Sequence, residues 1–206
     1  MSKRNNKVKL NSGMTYVELI VVLSIFSVMS SIVLFNYSEF QSRVDIKNLS
    51  ADIALKIVEA QKAALSGLIP IKNIPPTVPP WKPAYGIYFN TTNSNKSFVY
   101  FTDIDQNNFD SDLSFCNTAG PDNECISKIE ITKGNYISDI TVYFPSSSQA
   151  VTDFSLVFKR PNSGIVMYSN GNPVVGAQYA EITVRSTQGV TNKIRAYASG
   201  RIQVNQ

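Results

Sequence analysis

The stretch Met14-Thr15-Tyr16-Val17-Glu18, followed by Leu19-Ile20-Val21-Val22-Leu23-Ser24-Ile25-Phe26-Ser27-Val28-Met29-Ser30-Ser31-Ile32-Val33-Leu34-Phe35, decides the architecture. No charge interrupts it between Leu19 and Phe35. Seventeen residues give about 26 Å of helix, and a start at Met14 brings that close to a hydrocarbon core of roughly 30 Å. Outward to the N-terminus lie Lys3, Arg4, Lys7 and Lys9, all before the first acid, Glu18. No cations follow the apolar run at once, so the charge bias places the N-terminus in the cytoplasm and the remainder outside.

Outward in the other direction the helix continues. Met14 to Ser66 contains no Gly or Pro, and Ile46, Leu49, Ile53, Ile57, Ala60 and Ala64 recur at steps of three and four. Arg43, Lys47, Lys56, Glu59 and Lys62 mostly fall between them, which predicts an amphipathic second half with one face for a core. Gly67 is the natural terminator. One near-continuous helix of roughly 80 Å is expected, half apolar all round and half one-sided.

The remaining composition narrows the function. Of 206 residues, 43% are hydrophobic and 17% charged, which supports a packed core. Zero histidines remove Ser-His-Asp and Cys-His nucleophiles and His-ligated zinc. The net charge of +4 resides in the N-terminal stretch; the other 15 Lys and Arg match the 15 Asp and Glu. A neutral body gives no indication of nucleic-acid binding.

Glu18 admits three readings. A cleaved secretory signal would have a shorter apolar run and a small-x-small site, which Asn36-Tyr37-Ser38-Glu39-Phe40 does not offer. A plain signal anchor fits length and charge but leaves a carboxylate that costs about 2.5–3.5 kcal/mol in the membrane unless paired or shallow. In the third reading the glutamate has a partner. Gly13-Met14-Thr15-Tyr16-Val17-Glu18 and its apolar helix resemble the prepilin-type cleavage and methylation signal of type IV pilins and pseudopilins. The resemblance implies a prepilin peptidase that cuts after Gly13 and methylates the amine of Met14. It further implies that Glu18, fifth in the mature chain, pairs with a neighbour's Met14 amine during assembly. Met14 stands where phenylalanine is usual, and the kinking proline of many major pilins is missing. Ser24, Ser27 and Ser31 form a small-residue stripe that suits close helix approach or is merely tolerated.

The expected fold is α+β and pilin-like: one long helix packed on an antiparallel β-sheet head. Its divisions are a basic leader (1–13), a membrane or filament-core half (14–35), an amphipathic half (36–67), a connector (68–84) and the head (85–206). Six of the ten prolines fall at 70–83, which predicts an irregular, extended connector. Beyond Ala84 a period of two takes over. Strands are predicted at 85–90, 98–102, 126–132, 136–144, 154–159, 164–169, 179–186, 193–198 and 201–204. Turn clusters at Thr92–Asn95 and Asn170–Pro173 separate them. The aromatic strand, the acid-rich loop after Phe98-Val99-Tyr100-Phe101, the 158–164 turn and Gly200-Arg201-Ile202 resemble the H-type minor pseudopilins.

Two constellations in the head carry chemistry. Asp103, Asp105, Asn107, Asp110 and Asp112 alternate as Ca²⁺ ligands would, although Asn108 replaces the glycine of an EF-hand loop and no Glu closes it. A turn rich in Asp and Asn needs no metal at all. Cys116 and Cys125, nine apart and outside the membrane, are expected to form a disulfide, with two free thiols as the alternative. The expectation is a non-enzymatic structural subunit of a type II secretion pseudopilus or type IV pilus, as a minor component. It would reside in the inner membrane as a single pass and then in the filament. Its partners would be prepilin peptidase, other pilin or pseudopilin subunits, the inner-membrane assembly platform and the lipid bilayer. No cofactor is expected, and Ca²⁺ at the acidic loop stays open as the alternative to a metal-free turn. The competing expectation is a membrane-anchored extracytoplasmic binding or adhesion domain, Ca²⁺-dependent, that does not polymerise.

Overall fold

The computed structural model describes residues 13–68, 83–103, 116 and 124–205, with side chains at 33–36 set aside. Helix α1 runs Tyr16–Ser66. The chain divides into two compact units, Met1–Gln41 and Ser42–Gln206, so α1 contributes residues to both.

In the first unit, every described side chain from Gly13 to Ile32 is exposed except the half-buried Ser30. Phe26 and Met29 are 68% and 64% exposed. This part of α1 is long and apolar enough to cross a membrane.

In the second unit the same helix has two faces. Ile46, Ile53, Ile57, Ala60 and Ala64 are at most 1% exposed and enter the main core. Polar side chains then fix the helix to the head. Asn192 donates from Nδ2 to the Ser50 hydroxyl at 2.7 Å in a buried pair. The Gln61 amide donates to the carbonyls of Ser163 and Gly200. The helix ends where expected, at Gly67 with φ +66°. Leu68 N–H reaches the Ala63 carbonyl and Gly67 N–H that of Ala64, a Schellman closure that needs a residue free to turn left-handed. The Tyr85 hydroxyl donates to the carbonyl of Leu68 and holds that end against the first strand.

Eleven strands follow among the described residues: β1 (Ala84–Asn90), β2 (Ser94–Asp103), β3 (Cys125–Glu130), β4 (Tyr136–Tyr143), β5 (Ser148–Ala150), β6 (Asp153–Phe158), β7 (Ile165–Ser169), β8 (Asn172–Pro173), β9 (Tyr179–Arg185), β10 (Thr191–Tyr197) and β11 (Ile202–Asn205). The head is helix plus antiparallel sheet, as expected, but with two sheets. One has the order β3-β2-β1-β6-β7-β8 and the other β11-β10-β9-β4-β5.

Period two explains the layering. In the first sheet Tyr85, Ile87 and Phe89 of β1 face the main core with Phe154, Leu156 and Phe158 of β6. The opposite face holds a second apolar cluster of Ala84, Tyr88, Val99, Phe101, Cys125, Val157 and Tyr168. Gly86 lies on that face because the Phe101 ring passes over it, 2.6 Å from where a Cβ would stand. In the second sheet the row Ile140–Ile182–Ile194–Val204 faces the main core. Both sheets and the second half of α1 thus share one interior.

Candidate functional site

The N-terminal constellation begins before the helix. Gly13, Met14 and Thr15 lie before the helix and are exposed, and the Thr15 carbonyl accepts the first helical hydrogen bond, from Leu19 N–H at 3.1 Å. A Cβ built on Gly13 would meet nothing within 4 Å. The described residues therefore do not themselves require glycine there. Any such requirement must come from something that grips the backbone.

Thr15 and Glu18 form a reciprocal cap. Thr15 N–H and its hydroxyl donate to Glu18 Oε2, both at 3.4 Å, and Glu18 N–H donates to Thr15 Oγ1 at 3.3 Å. A threonine followed three residues later by glutamate satisfies the orphan donors of a helix start, and the carboxylate complements the positive end of the dipole. This signature stands in the sequence and was missed there. It gives Glu18 a local role within its own chain. Among the serines of the stripe, Ser24 donates to the carbonyl of Val21 at 2.8 Å, so its hydroxyl is satisfied within the helix.

Cys116 and Cys125 are joined in a disulfide. The bond lies beside Ala84, Val99 and Phe101 on the face of the first sheet that points away from the main core. Of the five acidic-loop residues, Asp103 ends β2 with its carboxylate 1% exposed and the Lys159 ammonium 4.0 Å away. Asp105, Asn107, Asp110 and Asp112 lie outside the described residues. Among the described residues no group of three His, Cys, Asp or Glu is placed to hold a metal. The hydroxyl of Tyr168, next to this corner, is pushed up by burial and by the charge of Asp103.

A cleft of about 450 Å³ runs beside α1 and is lined by Asp45, Asp52, Lys56, Phe98, Ile129 and Lys133. Its acids do not stand as an isolated pair, because Lys133 bridges to Asp45 at 2.6 Å.

The outer face of the second sheet was not legible in the sequence. Cross-strand partners place Tyr143, Tyr179 and Tyr197 in one row, with ring centroids 4.6 and 5.3 Å apart. The Arg201 guanidinium covers the Tyr197 ring at 4.1 Å. In the next row Glu181 accepts from Lys193 Nζ and Arg195 Nε, both at 2.7 Å. Burial alone would raise the Glu181 carboxyl, but the two hydrogen bonds and two positive charges outweigh it and hold the group below its ordinary value. The same bonds raise Lys193 and Arg195. Period two marked each residue as outward, yet only the strand register could align them.

No protein-family model matches the chain, and no curated protein and no solved structure matches it.

Proposed function

We propose that the chain is a prepilin-type subunit, processed at Gly13-Met14 by a prepilin peptidase and assembled into a type II secretion pseudopilus or type IV pilus. In this reading it is a minor subunit with no catalytic centre. Residues 1–13 stay in the cytoplasm and the apolar half of α1 crosses the inner membrane. The head stands outside until the assembly platform and neighbouring subunits draw the chain into the filament.

One observation carries the reading: an accessible, non-helical Gly13-Met14 bond directly precedes a capped helix whose described apolar side chains from Tyr16 to Ile32 are exposed all round. Such a surface needs lipid or other helices around it. A mature chain starting at Met14 would add a cationic amine one residue before Thr15, beside the carboxylate that Thr15 already orients. A neighbour's amine that displaces the local cap neutralises a charge in apolar surroundings and sets the register between subunits.

The test compares wild type with Glu18→Ala in a strain lacking the native copy. The variant should be cleaved and should remain in the membrane, since loss of a carboxylate eases insertion. Its recovery with the assembled filament should fall sharply, and Glu18→Gln should be intermediate. Equal recovery of all three would put the anchored, non-polymerising binding domain ahead.

A further inference from the structure

We propose that the outer face of the second sheet docks the acidic stretch 103–124 of a second copy of this chain. The inference rests on the filament reading and specifies a head-to-head contact within it.

The face is polar and patterned. Successive rows contribute Arg185, then Lys193, then Arg195, then Arg201 beside Tyr197. Alternate residues of a strand are about 6.6–6.8 Å apart, so one cation stands at each such step. Against these four cations the face holds two acids, Asp139 and Glu181. Stacking on tyrosine rings and bonding to Glu181 fix where Arg201 and Arg195 point, which reduces the ordering cost of receiving an anionic partner.

The chain itself supplies the complementary charge. Between Asp103 and Glu124 lie Asp105, Asp110, Asp112 and Asp122, and no Lys or Arg occurs from Asp103 to Ser127. The stretch is tethered at both ends to the first sheet, by Asp103 at the end of β2 and by Cys116 bonded to Cys125 of β3. Those tethers lie on the face of that sheet turned away from the main core. The cationic face lies beyond the main core, on the far side of the other sheet. The anchored ends of the donor stretch and the acceptor face therefore lie on opposite sides of one head. A contact between unlike patches on opposite sides is heterologous, and unless its rotation closes a ring it propagates along a line. Among the described residues, the only aliphatic side chain these rows contribute is the small Ala150 beside Thr141, so the contact is electrostatic and sensitive to salt.

The test uses the full chain in detergent micelles, with two labels and energy transfer between copies. Wild type should self-associate, and association should weaken about tenfold or more between about 50 and about 500 mM salt. Arg185→Glu/Arg201→Glu removes the acceptor and Asp110→Lys/Asp112→Lys removes the donor, so each variant alone should lose association. Mixed together they should form dimers, because one copy keeps an intact donor and the other an intact acceptor. If the arginine variant loses its native spectrum, salt and the aspartate variant still decide. Association that ignores salt and the reversals, or a failure of the mixture to pair, overturns the docking. So does wild type that stays monomeric while its arginine face binds a single-stranded oligonucleotide, which assigns the face to a free polyanion. Failed pairing with Glu18→Ala still blocking recruitment would remove the docking alone. Successful pairing by a chain that never enters a filament would remove the filament reading alone.

Discussion

The two halves of α1 share a backbone and differ in what their side chains meet. In the first unit Ile25, Val28 and Met29 are more than half exposed. In the second, Ile53 and Ile57 are fully buried in the core they share with residues of both sheets. Both halves are rich in Ile, Val and Leu, and the second adds Ala, so hydrophobicity alone does not separate them. Pattern does. An all-round apolar surface leaves no polar face for water, whereas the one-sided pattern from Ile46 to Ala64 matches a single core. The first half presents apolar side chains all round and the second completes its own head.

The largest effect should come from exchanging a residue across that contrast. Ile53→Ala should destabilise the head by about 2–5 kcal/mol, the range for a large-to-small change in a packed core. Val28→Ala should move head stability by less than about 0.5 kcal/mol. Denaturant unfolding of the full chain in micelles, followed by aromatic fluorescence, measures both. Similar losses for the two would erase the distinction between the halves.

Next in size is the disulfide. Cys125→Ser should cost roughly 2–3 kcal/mol, since the bond closes a short loop in the unfolded chain. The loss should appear in head unfolding and leave membrane retention unchanged. An unaltered unfolding midpoint would mean the bond does not constrain the head.

Glu181 offers a smaller, pH-dependent effect. Its folded carboxyl titrates below the ordinary 4.5, so it stabilises the head above that value. That stabilisation is lost as pH falls through the lower folded value. Glu181→Gln should therefore be less stable than wild type at neutral pH, by about 1–3 kcal/mol, and the gap should narrow in acid. Melting temperatures across that range report it; a gap that stays constant or widens in acid would contradict the direction of the shift.

The smallest effect belongs to the first half again. Thr15→Ala removes the reciprocal cap and should cost about 1 kcal/mol of local helix stability while head melting stays put. Amide exchange at residues 16–19 in micelles should rise. Unchanged protection there would show that the cap contributes nothing.

How much of this could be read from sequence follows from the range of the forces. The helix was legible to its last residue because Gly67 and a long run free of Gly and Pro act locally. Strand positions emerged within a few residues for the same reason. Ser148–Ala150 and Asn172–Pro173 were missed: the first is small and fully exposed, the second sits inside a turn cluster, and each is a strand only through its partner, β4 or β7. The division into two sheets was illegible because β1 pairs with β6 and β4 with β9 across intervening strands. Alternation says which way a side chain faces and nothing about its neighbour. The tyrosine row and the Glu181 bridges were hidden on that account. Thr15-x-x-Glu18, by contrast, was local and visible.

The central claim is that the Gly13-Met14 bond is a processing site, and intact mass with N-terminal sequencing of the membrane-extracted protein tests it most directly. From cells containing a prepilin peptidase, the chain should begin at Met14, lack residues 1–13 and carry one methyl group on its amine. A chain that retains the leader, or is cut elsewhere, would contradict it.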